Sequence, residues 1–327
     1  MSVDPTTVSV IICAYALDRW VDICDAVKSV MLQRPPVGEI IIVVDHNPEL
    51  LSRLRAQFPG HRVVANREAP GLSGARNTGV CAARGCLLAF LDDDAVAAPD
   101  WVAGMLRHFV KPSVLGVTTR VMPIWQGPRP PWFPDEFLWV LGCTHAGLRS
   151  GPVRNLMGGS MCLSRDVFDR AGGFNGDLGR RRNKLPLGAE ETELCIRAAH
   201  AIPHAEFRYD AQVVTGHKVK AERLTWRYFV RRCYAEGLSK AQVAAISSAA
   251  APLATERAYV VRTLMPGSLR GVADGCLRFD LHGFGRSFAI AVGLVSTVTG
   301  FLVCRLSMTM SRRGAMRRRP GNHPLRN

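Results

Sequence analysis

The sequence predicts an α/β fold, a mostly parallel sheet with helices on both faces, followed by a helical, basic C-terminal tail. Three observations carry this reading. Apolar runs at Val8–Ala14, Ile40–Val44 and Cys86–Leu91 have the length and continuity of strands buried on both faces. Between them lie stretches with helical apolar spacing, Trp20 to Leu32 and Asn77 to Arg84. The charge is also uneven: residues 218–327 hold 19 Lys and Arg against 5 Asp and Glu, net +14 of the chain's +15.

The elements follow in order. The first strand, Val8–Ala14, runs into a loop from Tyr15 to Arg19 and then into the helix at Trp20. The second strand ends on Asp45, and Arg62–Ala65 reads as a third, short strand. The glycine-rich stretch Gly71 to Gly79 comes next and leads into the helix at Asn77. The following strand stops on Asp92-Asp93-Asp94, and Pro99 and Asp100 open another helix. This β-α-β-α-β-α-β order predicts parallel pairing, and in open sheets of that kind ligands sit beyond the carboxyl ends of the strands. Asp45 and the triple aspartate both lie there. The stretch Pro123 to Cys143, rich in Pro and Trp, separates a nucleotide-binding half (1–122) from an acceptor half (123–217), and the tail occupies 218–327.

Three adjacent carboxylates at the edge of an apolar strand repel one another, and a divalent hard cation relieves that repulsion. Strand alternation puts Asp92 and Asp94 in one site and turns Asp93 away. The competing reading, a solvated acidic turn, loses ground to the second acidic strand end at Asp45. Arg76 has the chemistry to neutralise a phosphate; a solvated arginine in a turn is the alternative. The chain has neither a G-x-x-x-x-G-K-[ST] loop nor a G-x-G-x-x-G after its first strand, so ATPase and dinucleotide-oxidoreductase readings lose their physical basis.

Taken together these residues resemble glycosyltransferase family 2, inverting enzymes of GT-A fold, over about residues 8 to 240. The family's opening strand and loop match Val8 to Arg19, its base-contacting acid matches Asp45, its A-R-N-x-G segment Ala75 to Gly79, and its D-x-D motif Asp92 to Asp94. Asn155 to Met161, followed by Arg170 to Phe174, is similar to the segment that closes the donor pocket on the acceptor side. The family's E-D pair appears as Glu190-Glu191. The resemblance implies donor contacts at Ala14, Tyr15, Asp45, Arg76, Asp92, Asp93, Gly159, Ser160 and Glu190. It implies Mg2+ or Mn2+ held by Asp92, Asp94 and His217, and Glu191 as the catalytic base. Two departures stand out: His46 where the family often has a second acid, and Glu191 one methylene longer than the usual Asp. Glu193 reads as an ordinary acidic residue of a helix's first turn.

The metal would neutralise charge on the departing nucleoside diphosphate while Glu191 takes the proton of the attacking acceptor hydroxyl, a single displacement that inverts the anomeric carbon. A uridine diphosphate sugar is the first expectation for the donor, and a glycan or lipid-linked hydroxyl for the acceptor. His200 and His204 do not form a metal pair, because Pro203 breaks the helix that would align them. Trp125, Trp132 and Trp139 are expected mainly as structural wedges, with sugar stacking by at most one.

The tail points to a membrane. Arg223, Arg227 and Arg231 are expected as one stripe on a helix whose apolar face holds Trp226, Phe229, Val230 and Cys233. Phe288 to Cys304 is uncharged and largely apolar, at the lower limit for a span, and Arg312, Arg313 and Arg317 to Arg319 follow. A span would carry those charges outward, so an in-plane or re-entrant association with an anionic membrane surface is expected, with a packing helix as the alternative. The ten cysteines lack C-x-x-C spacing and no secretory apolar region precedes the first strand, which suits reduced thiols at the cytoplasmic face; Cys81 and Cys86 are expected to pack. A nucleotidyltransferase would open with a glycine-rich loop and Arg after the first strand, which Ala14 to Leu17 is not. Nucleic-acid binding fits the net charge but not its place beside an apolar tail.

Overall fold

The computed structural model describes residues 4–178, 188–246 and 252–317. Strands β1 (Val8–Ala14), β2 (Glu39–Val44), β3 (Arg62–Ala65) and β4 (Leu87–Asp92) pair in parallel in the order β3-β2-β1-β4. Beyond β4 the sheet becomes mixed. β5 (Ala95–Ala97), β6 (Val114–Trp125), β7 (Gly151–Val153), β8 (Ser160–Ser164) and β9 (Glu206–Val219) extend it in the order β8-β6-β9-β5. β8 is antiparallel to both β4 and β6, β6 and β9 are parallel, and β5 and β7 each add antiparallel to β9. β6 runs unbroken through Pro123, so the sheet itself crosses the join expected at 122/123.

Period-two alternation sorts the strands onto two cores. Val10, Ile12, Ile40 and Ile42 face α1 (Trp20–Met31), α2 (Pro48–Gln57) and α4 (Trp101–Leu106), burying Ile23, Val27, Leu50 and Trp101. Ile11, Ile41 and Val43 face α3 (Leu72–Ala82), α5 (Arg165–Ala171) and α6 (Glu190–Ala201), burying Val80, Phe168 and Leu194. Local chemistry sets the helix starts. Asn47 caps α2, its side chain accepting the Leu50 N–H at 3.1 Å with Pro48 at the first helical position. α3 begins at Leu72, five residues before the expected Asn77, because Gly71 at φ 137° makes the turn and the glycine-rich stretch is helical rather than loop.

A third core joins the sheet to the tail. Val121 and Val219 meet Phe133, then Phe137 and Leu141 from a 3-10 segment, Asp135–Leu141, and Phe229 and Cys233 from α7 (Trp226–Ile246). Trp132 stacks on Trp226 at 4.0 Å and the Trp139 indole donates to the Tyr259 hydroxyl at 3.0 Å, so both are wedges of this core, and Trp125 packs at its margin. α8 (Pro252–Tyr259), a π-turn at Val260–Leu264 and α9 (Met265–Leu277) follow, then α10 (Leu281–Arg317). The apolar stretch 288–304 is only the middle of α10. Leu281–Met310 is long and apolar enough to cross a membrane, about 45 Å at 1.5 Å per residue, and its most apolar window is only 28% buried in protein. α7 and α10 touch backbone to backbone: a Cβ on Gly237 would fall 2.0 Å from the Thr297 carbonyl oxygen, and one on Gly300 2.2 Å from that of Tyr234.

Two expectations need correction. Arg223 is not on the α7 stripe; it sits in a 3-10 turn, Ala221–Arg223, before the helix starts. Cys81 and Cys86 are exposed, because both come at the ends of elements rather than under them, while Cys24, Cys143, Cys162, Cys195 and Cys233 are the buried thiols. Arg318 and Arg319 lie outside the described residues.

Candidate active site

The carboxyl ends of β1, β2 and β4 open onto one cleft. Pairing of Cys13 with Asp92 puts the acidic triplet level with the end of β1, and the antiparallel return of β9 over β5 places His217 opposite Ala95. One oxygen or ring nitrogen from each of Asp92, Asp94 and His217 lies within 4.8 Å of the others. The Lys218 N–H donates to the Asp94 carbonyl at 2.8 Å, fixing the triplet to β9. His217 is buried, its Nε2 is 3.2 Å from Asp94 Oδ1, and its Nδ1 has no hydrogen-bond partner among the described residues.

Asp93 is turned into the protein, where it pairs with Arg19; the same guanidinium donates to Asp94 Oδ2 at 2.8 Å. Arg223 reaches that oxygen at 3.5 Å. Burial, only partly offset by Arg19, pushes Asp93 up to about 8. Burial opposes ionisation of Asp94 as well, but there His217, Arg19 and Arg223 outweigh it and hold the carboxyl far below the ordinary range.

On the facing wall Arg76, buried on α3, gathers the remaining acids. Its Nη1 donates to Glu191 Oε1 at 2.7 Å and to Glu190 Oε1 at 3.2 Å, its Nη2 donates to the Gly158 carbonyl at 3.0 Å, and Asp92 Oδ1 is 3.7 Å away. Burial works against its charge, but Glu191, Glu190 and Asp92 more than compensate. The guanidinium is thus engaged by carboxylates, where the sequence suggested a phosphate. α6 brings Glu190 and Glu191 here by starting on Ala189 at φ 79°, a sharp left-handed entry. Glu193 pairs with Arg197 one turn on, a contact within the helix. The Gly158–Gly159 pair lets the loop before β8 pass against these acids. A Cβ at 158 would fall 1.6 Å from Glu191 Oε1, and one at 159 3.0 Å from Asp92 Oδ2.

Asp45 lies at the far end of the cleft, accepting from Asn66 Nδ2 at 2.7 Å and the Gly71 N–H at 3.0 Å, with His46 Nδ1 at 2.9 Å. The Ala14 carbonyl accepts the Asp45 N–H at 2.7 Å, and Tyr15, more than a third exposed, lies under the Arg19 guanidinium at 5.1 Å. The Ser160 hydroxyl points away from the cleft into a buried network with Trp101 Nε1 and Thr215 Oγ1, both at 2.8 Å. Among the described residues His200 and His204 join no metal-ligand group, α6 having ended at Ala201.

The donor set suits a divalent cation. Two carboxylates and an imidazole converge, the buried imidazole keeps a ring nitrogen without a protein partner, and around the cleft five carboxylates face three guanidiniums. Sequence reasoning missed Arg19 and Arg223. Their signal was faint: Arg19 closes the opening loop, and the fourfold spacing of Arg223, Arg227 and Arg231 suggested a helix that starts only at Trp226.

Comparison with known proteins agrees with this geometry. Residues 9–172 match the family model "Glycosyl transferase family 2". The chain is 33% identical over 239 residues to the glucosyl-dolichyl phosphate glucuronosyltransferase of Haloferax volcanii, covering 71% of this chain and 76% of that protein. It is 25% identical over 224 residues to the pre-mycofactocin glycosyltransferase of Mycobacterium tuberculosis, covering 59% of this chain and 46% of that longer protein. Among solved structures, the mannosyltransferase PcManGT of Pyrobaculum calidifontis, in complex with GDP-Man and Mn2+, superposes with a TM-score of 0.61 at 18% identity, covering 91% of this chain and 88% of that one. GalNAc-T7 with UDP, GalNAc and Mn2+ gives 0.50 at 15% identity, covering 72% and 51%. The chain belongs to glycosyltransferase family 2 and is a glycosyltransferase of GT-A fold.

Proposed function

We propose that the chain transfers a sugar, with inversion, from a nucleoside diphosphate sugar to a hydroxyl of a lipid-linked saccharide at the inner face of the cell membrane. The observation that carries this reading is the pairing of two acidic walls through Arg76, with Asp92, Asp94 and His217 on one side and Glu191 on the other. Asp45 is the contact for the base and ribose end of the donor, and a uridine nucleotide is the first candidate. Asp92, Asp94 and His217 would hold Mg2+ or Mn2+, which supplies Lewis-acid neutralisation of the leaving diphosphate. Arg19 and Arg223 hold Asp94 ionised. Arg76 aims Glu191 into the cleft. Glu191 takes the proton of the acceptor hydroxyl, whose oxygen attacks the anomeric carbon opposite the departing nucleoside diphosphate; the glycosidic bond forms as the sugar–phosphate bond breaks.

The lipid-linked acceptor is supported by the name of the Haloferax relative, a glucosyl-dolichyl phosphate glucuronosyltransferase, and by the largely exposed apolar α10 of the same chain. The test is thermal stability with uridine, guanosine and thymidine diphosphates, with and without Mn2+, for the natural chain and Asp94→Asn, followed by NMR of the product's anomeric configuration. A metal-dependent rise with one nucleotide that Asp94→Asn loses is expected. A folded protein with no such rise for any of the three overturns the donor site, and a retained anomeric configuration overturns the single displacement.

A further inference from the structure

Away from the donor cleft, α7 and α10 enclose an open groove of about 630 Å3, lined by Trp226, Arg227, Val230 and Arg231 on one side and Val295 and Thr299 on the other. Its chemistry is divided. Arg227 and Arg231 are exposed on successive turns of α7 and form no ion pair among the described residues, whereas the next arginine of that helix, Arg232, is paired with Glu236. Facing them, Val295 is 64% exposed, and the same apolar side of α10 continues through Val298 and Leu302. Two unneutralised guanidiniums on one wall of an otherwise largely apolar trough complement an anionic head joined to a hydrocarbon chain. The groove floor is rigid, because the two helices meet backbone to backbone at Gly237 and Gly300.

We infer that this groove binds one anionic phospholipid of the surrounding bilayer, with its phosphate between Arg227 and Arg231 and an acyl chain along Val230, Val295 and Thr299. The site is separate from the donor cleft and does not rest on the transfer reading. The lipid completes the surface of α10 where protein leaves it bare and holds the helical region at an acidic leaflet.

The test uses the full chain in detergent micelles doped with dioleoyl phosphatidylglycerol or dioleoyl phosphatidylcholine, reading the melting temperature and the phosphorus retained per protein after size exclusion. Expected is a higher melting temperature and about one retained phosphorus with phosphatidylglycerol. Both should fall to the phosphatidylcholine level in Arg227→Glu/Arg231→Glu, and in Thr299→Trp, which fills the groove without changing charge. The charge-matched control Arg257→Glu/Arg262→Glu should keep both. Equal loss in the control, full retention in Thr299→Trp, or the same stabilisation from inorganic phosphate alone would each overturn the inference. The nucleotide-dependent melting shift of each variant reports independently that the donor cleft is intact.

Discussion

Replacing Gly158 with Ala separates catalysis from folding at this site. The added methyl carbon would lie 1.6 Å from Glu191 Oε1 and 2.7 Å from Arg76 Nη2. Carbon–oxygen contacts settle at about 3.3 Å or more, so the carboxylate must retreat by roughly 1.7 Å. That breaks its 2.7 Å bond to Arg76 and takes the base out of line with the acceptor hydroxyl. The displaced atom is the end of a side chain beside the cleft rather than backbone, so stability should fall by only about 1 kcal/mol, the worth of one hydrogen bond. The rate is far more sensitive: a misplacement of about 1 Å costs on the order of 100-fold, or about 2.7 kcal/mol of barrier. The assay is nucleoside diphosphate release at saturating donor and acceptor, beside the melting shift produced by nucleotide and Mn2+. The expectation is a rate down at least about 100-fold with that shift intact. A folded Gly158→Ala protein that turns over within about threefold of the natural chain would refute Glu191 as the base, since 1.7 Å of displacement would then leave the chemistry untouched.

Other changes give distinct signatures. Glu191→Gln should bind nucleotide and metal normally yet release product at least about 100-fold more slowly, read by single-turnover transfer. His217→Ala should raise the Mn2+ concentration needed for half-maximal activity by about 10-fold or more, while substitution of the neighbouring Lys218 should not. Gly237→Val should lower stability by about 1–3 kcal/mol or more, because the new side chain has only the Thr297 backbone to push against; chemical denaturation reads this. Asp210 supplies a pH test. Burial works against its charge, but His108 Nε2 at 2.7 Å and the Gln212 N–H at 2.9 Å outweigh it and hold its pKa below the ordinary carboxylate range. A depressed folded pKa gives stability that is complete above the unfolded value and lost as pH falls through the folded one. Asp210→Asn should therefore be less stable than the natural chain at pH 7 by about 1–2 kcal/mol, with the gap closing below about pH 4.

The parallel half of the fold was legible because β1, β2 and β4 are buried on both faces and so announce themselves as unbroken apolar runs; the shorter β3 is exposed at both ends, and β1 and β3 begin and end where the sequence placed them. The second half was less readable. β6 keeps Pro123 inside a strand, and β9 alternates in burial while serving three neighbours, so neither has the unbroken apolar run that marks β1, β2 and β4. The acidic cluster was visible as composition at a strand end. Its counter-charges were not, since Arg19 and Arg223 reach Asp94 from segments far apart in sequence, and only the tertiary fold brings them to one oxygen. α10 runs beyond the uncharged stretch Phe288 to Cys304, because close helix–helix packing at Gly283 and Ser287 carries the helix through the residues before it.

The course of the chain from β9 into α7 bears on how this enzyme can be taken apart. Within seven residues it leaves His217 at the cleft, buries Val219 in the core shared with the tail, and returns to Asp94 through Arg223. Among the described residues no hinge separates the catalytic fold from the helical tail along this stretch. Cutting after residue 217 would strip Arg223 from Asp94 and uncover Phe133 and Phe137, so a shortened protein should aggregate rather than work as a freestanding enzyme. The cleft and the helical tail are inherited together here, and a change selected in one will be felt in the other.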